Sequence, residues 1–124
     1  MNLHDNQIIY NGYKLLDRKL LSYARSLGTS FTVSDISKDS LTAGQIAHLC
    51  TRMGSQPRQL LDWHVAAHKG LKQDIEQLYN EELIKMMTRS QDLIQTPIII
   101  KNDRCNTFSD VSDTNQIREI LLKE

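Results

Sequence analysis

Residues 78–100 read LYNEELIKMMTRSQDLIQTPIII, an amphipathic stretch that runs into a proline and three isoleucines. Asn80 stands before Glu81 and Glu82, acids that suit the positive end of a helix, and Leu83, Met86 and Met87 recur at the spacing of one helical face. Pro97 cannot donate to a sheet ladder, so it fits the opening of a strand formed by Ile98, Ile99 and Ile100. Asn102-Asp103 predicts a hairpin turn and Cys105 to Phe108 the return strand. Asp113 and Gln116 are spaced to cap a last helix carrying Ile117, Ile120 and Leu121.

Working back toward the start, Thr42 and Gln45 have the spacing of a capping box. Ile46, Leu49, Cys50 and Met53 share one helical face before Gly54. Ser55 is a cap for a second short helix through Leu60 and Leu61, with Pro57 tolerated in the first turn. Further upstream, Ile8 to Tyr10 form a short β-prone run ended by Asn11-Gly12. Leu16, Leu20, Tyr23, Ala24 and Leu27 then outline a helix stopped at Gly28, and Phe31 and Val33 mark a second strand. The order is β-α-β, helices, β-β-α, which predicts an α/β protein. No repeat or linker divides it, so residues 1–124 are expected to form one domain, with 1–6 flexible.

Composition limits what such a domain does. Lys plus Arg is 15 and Asp plus Glu is 15, so no general field holds polyanions or an acidic membrane. A chain of 124 residues with 40% hydrophobic residues buries roughly two-thirds of its unfolded surface, enough for an autonomous core. Only two cysteines, Cys50 and Cys105, are present, far apart and without a CxxC, and no apolar run approaches the roughly 18 residues of a membrane span. The expectation is a soluble, cytoplasmic protein that contacts neither membrane nor nucleic acid directly.

The order of elements, with a proline opening the third strand, resembles the thioredoxin fold with a helical insert and a four-stranded mixed sheet. The strings IIYNGYKLLDRKLLSYARSLG (8–28), LTAGQIAHLCTRMGSQPRQLLD (41–62) and residues 78–100 resemble consecutive blocks of the glutaredoxin-linked arsenate reductase family, which includes the Spx transcription regulators. In those reductases a cysteine nucleophile begins the first helix in a Cys-x-x-x-Arg loop, where the helix dipole favours the thiolate. The resemblance aligns that arginine with Arg18 and places Lys14 at the cysteine position, Asp17 at a serine and Tyr10 at a histidine. Of the three arginines that hold arsenate, the first aligns with Asp62, the second with Thr96 and the third falls near Thr107. Pro97 takes the place of the cis-proline opposite the active loop. The resemblance thus implies a fold and withdraws an activity, because the attacking thiolate and its electrostatic partners are lost together.

Three readings remain. The leading one is a catalytically degenerate member of this family, retained as a protein-binding or regulatory module with no cofactor. The second is a thiol-dependent oxidoreductase using Cys105, which lies in the final hairpin and is expected to be more accessible than Cys50, with glutaredoxin or glutathione as its reducing partner. The third, implied by the Spx resemblance, is a contact with RNA polymerase through protein surfaces. Lys14 and Arg18, one turn apart at a helix start, either bind an anion or leave Lys14 solvated and Arg18 paired with Asp17 or another carboxylate. His64 and His68 are four apart, but no third ligand accompanies them, so no metal site is expected.

Overall fold

In the computed structural model, which describes residues 1–110 and 113–122, a four-stranded mixed sheet has the order β2-β1-β3-β4. Its strands are β1 (Gln7–Tyr10), β2 (Thr32–Asp35), β3 (Ile98–Lys101) and β4 (Arg104–Thr107). The helices are α1 (Leu15–Ser26), α2 (Ala43–Met53), α3 (Trp63–His68), α4 (Lys72–Glu76), α5 (Asn80–Arg89) and α6 (Thr114–Leu122). β1 runs parallel to β2 and antiparallel to β3, which in turn pairs antiparallel with β4. The expected α/β, thioredoxin-like architecture is therefore the observed one.

The alternation of side chains along the two central strands builds a core on each face. Ile8 and Ile99 turn toward α1 and α6, where they meet Leu20, Leu21, Ala24, Phe108, Ile117 and Leu121. Ile9, Ile98 and Ile100 turn the other way, into the larger cluster under α2, α5 and the short helices. A purely apolar run is what two covered faces require. The β3–β4 hairpin turns on Asn102 and Asp103, both left-handed (φ 54° and 63°), as a two-residue connection of this hand needs. Among the described residues no helix is long and apolar enough to cross a membrane.

Several local expectations shift. Thr42 and Gln45 do form the capping box of α2. Ser55, however, caps nothing beyond it. Gly54 is left-handed, and the Gly54 and Ser55 amides return to the Thr51 and Cys50 carbonyls, so Ser55 completes the end of α2. The next turn is a 3-10 helix, Pro57–Leu60, in which the Gln59 side chain accepts from the Gln56 amide, and Leu61 leaves it to bridge Ile94. Helix α5 begins at Asn80, one residue early, because Glu82 reaches back to the Tyr79 amide. Asp113 accepts from the Ser109 and Asp110 amides, so it serves the chain upstream of α6. Near the chain start the Met1 amine pairs with Asp39 at 3.2 Å, and Met1 and Leu3 pack on the larger core.

Candidate functional site

The C-terminal ends of β1 and β2, the start of α1, the start of α3 and the segment entering β3 converge on the loop of residues 11–14. Four successive amides of this loop already have partners in the chain. Asn11 donates to Asp17 Oδ2 (2.8 Å), Gly12 to Asp35 Oδ1 (3.0 Å), Tyr13 to Asn11 Oδ1 (3.0 Å) and Lys14 to the Asn11 carbonyl (3.0 Å). A loop that cradles an oxyanion keeps such amides free for it. Asp35, the register partner of Tyr10, presses so close that a Cβ on Gly12 would stand 2.4 Å from its Oδ2, which explains the glycine. Burial pushes Asp35 up, but the Gly12 amide, the Ser37 hydroxyl and amide, and Lys38 outweigh it and hold the carboxyl below its ordinary value.

Lys14 is not solvated. Its ammonium donates to Asp62 Oδ2 at 2.8 Å and to the Ile94 carbonyl at 3.0 Å, and the two charged side chains are only 16% and 11% exposed. The other oxygen of Asp62 accepts from the His64 and Val65 amides and so caps α3. One carboxylate thus ties together the starts of α1 and α3, while Lys14 adds the strand leading to Pro97. Lys14 and Asp62, which the resemblance sets against a cysteine and an arginine, thus neutralise one another. Arg18 does not pair with Asp17; its Nη1 donates to the Gly12 carbonyl at 2.8 Å, bracing the loop.

Asp17 is buried beside this pair. Burial pushes its carboxyl above the ordinary value, against the opposing pull of Thr96, the Asn11 amide and Lys14, and Asp62 pushes the same way as burial. The Thr96 hydroxyl lies near enough to be felt by Asp17 but is not in a formed hydrogen bond, and it is buried without a partner. The Thr96–Pro97 peptide is cis. Thr107 sits opposite Ile98 at the end of β4, and Tyr10 is half-buried at the end of β1.

The thiols are elsewhere. Cys105 is not the accessible residue expected: it faces Ile100 across the hairpin, so its side chain follows Ile98 and Ile100 into the core under α2. Burial pushes both the Cys50 and Cys105 thiols up, with Arg52 only partly opposing this at Cys105. His64 and His68 are exposed, and no three His, Cys, Asp or Glu side chains among the described residues are grouped to hold a metal.

The structure therefore brings together Lys14, Asp17, Arg18, Asp62, Thr96 and Pro97, and leaves Cys105 in the core. Sequence reasoning missed Asn11 and Asp35. It also treated Lys14 and Asp62 as separate losses; their opposite signs at two positions that face one another were the available signal.

No curated protein matches the chain significantly. Solved structures do. An arsenate reductase of Vibrio cholerae superposes with a TM-score of 0.74 at 21% identity, over 95% of this chain and 100% of that one. A candidate arsenate reductase of Yersinia pestis gives 0.75 at 22% identity, over 92% and 98%. An arsenate reductase (ArsC) related protein of Brucella melitensis gives 0.73 at 13% identity, over 94% and 96%. At these identities the likeness speaks for the fold. The model of the ArsC family itself matches residues 14–107, well over half of the sequence, and the chain belongs to the ArsC family.

Proposed function

We propose that this chain is a catalytically silent member of the ArsC family, kept as a protein-binding or regulatory module. The observation that carries the reading is the Lys14–Asp62 ion pair, formed by the two residues that the sequence resemblance aligns with the reductases' thiolate and first anion-binding arginine. An ammonium bonded to a carboxylate offers no nucleophile, and the loop amides beside it have no free hydrogen for an oxyanion. A role for Cys105 as substitute nucleophile is opposed by its burial and raised thiol, since the thiolate is the attacking species. Two free, buried cysteines also fit a reducing cytoplasm. With a net charge of zero, the partner is a protein, and RNA polymerase is the candidate that the Spx resemblance supplies.

The test is arsenate turnover by the purified protein with glutathione and glutaredoxin. We expect no rate above the protein-free reaction. Turnover that Cys105→Ser abolishes would overturn the proposal in favour of a relocated thiol.

A further inference from the structure

Beside the closed loop, on its solvent side, α1 and the segment after β2 leave an open hollow of about 490 Å³. Its walls carry three cations, Arg18 and Arg25 from α1 and Lys38 from across the gap, together with Tyr10 and Tyr13. None of the three cations has an ion pair among the described residues. The lining contains one carboxylate, Asp35, whose Oδ1 is engaged by Gly12 and Ser37 and whose charge Lys38 also favours, so one negative charge stands against three positive ones. A chain with no net charge therefore concentrates positive charge here. The loop adds large apolar side chains in water: Tyr13 is 84% exposed and Leu15 57%. Isolated exposed apolar residues are ordinary, but a tyrosine and a leucine two positions apart beside unpaired cations form a mixed surface of the kind interfaces use.

From this surface we infer that the hollow docks an extended, acidic segment of a partner protein that carries an aromatic side chain. The inference rests on the reading of the chain as a binding module and names the partner's chemistry. The placement of the cations along the helix suits a polypeptide. The backbones of Arg18 and Arg25 stand seven residues apart on one helix, about 10 Å at 1.5 Å per residue. In an extended chain, two acids three residues apart span about the same 10 Å. A small oxyanion would have only the cations to hold it here, since the Gly12 and Tyr13 amides are already used. A polynucleotide calls for a wider field than a neutral molecule provides. Tyr13 supplies a face for the partner's aromatic ring next to the charges.

A fluorescent random copolymer of glutamate and tyrosine is a suitable probe, followed by anisotropy at low salt. We expect saturable binding that weakens with added salt, falls at least tenfold in Arg25→Glu/Lys38→Glu, falls less in the milder Arg25→Gln/Lys38→Gln, and drops about fivefold in Tyr13→Ala. Arg25 and Lys38 are exposed and their side chains make no hydrogen bond or ion pair among the described residues, although the Lys38 charge favours the Asp35 carboxylate, so circular dichroism should be unchanged by these variants. No saturable binding, binding indifferent to both charge variants, or displacement of the copolymer by inorganic phosphate or polyuridylate would overturn the inference. Lack of copolymer binding together with lack of arsenate turnover sinks this inference alone and leaves the catalytically silent reading in place.

Discussion

Lys14 and Asp62 are 48 residues apart, and each is unremarkable in its own stretch of sequence. Side by side they satisfy one another with little access to water, and the pair stitches the start of α1 to the start of α3. Hydrogen bonds to charged groups contribute about 1.5–3 kcal/mol when one partner is removed. We expect Lys14→Ala and Asp62→Ala each to destabilise by an amount of that order, Asp62→Ala by more because it also loses the α3 cap. A double-mutant cycle by urea unfolding should return coupling of about 1 kcal/mol or more, and additivity would show that the pair is idle. Asp17 gives a second residue-level prediction. Its folded value is raised, so its contribution to stability is complete below about pH 4, the unfolded value, and is lost as the pH rises through the folded value. Asp17→Asn keeps an oxygen for the Asn11 amide and escapes that loss. Urea titrations from pH 3 to pH 7 should show the variant gaining on the wild type as the pH rises; a gap that does not change with pH would contradict this. Such pairings are invisible to spacing rules, because they are made by residues that only the fold brings together. That is why Arg18, expected to bind an anion or to pair with Asp17 or another carboxylate, instead holds the Gly12 carbonyl.

At the scale of elements, periodicity was a sound guide wherever a segment was long enough to repeat. Helix α1 buries Leu20, Leu21 and Ala24, and α2 buries Ile46, Leu49 and Cys50, positions that recur with the helical period. Helices α3 and α4 bury one residue each, Ala66 and Ile75, and a single apolar position has no period to read. Caps were legible only in part, since Ser55 was read as one and is not, and Asp62, which caps α3, was not read as one. Thr42 was found, whereas Gln59 and Glu82, which reach back three residues to an amide, shifted the boundaries at Gln56 and Tyr79. The α2 cap also anchors the chain start, since the Gln45 side chain donates to the Met1 carbonyl. Thr42→Ala should therefore cost about 1 kcal/mol, seen as a lower urea midpoint at unchanged slope. An unchanged midpoint would mean that the box adds nothing to α2.

For the whole molecule, the sheet and its two cores keep the ArsC architecture while the amides of the loop before α1 are satisfied from within. The central strands, buried on both faces, and the helices that cover them need nothing from residues 11–14 beyond a tight connection. An internal ion pair at this loop is thus compatible with an intact fold, and the sequence could reveal the fold without revealing that Lys14 and Asp62 meet. On the proposed reading the engaged amides of this loop are what keep the module silent, and their engagement is directly measurable. Arsenate can be titrated into isotopically labelled protein while the amide resonances of Asn11, Gly12, Tyr13 and Lys14 are followed. The account predicts no saturable shift at these four amides up to millimolar arsenate, because each already donates within the chain. A saturable shift centred on them would contradict it and would mean that the loop still opens to an oxyanion.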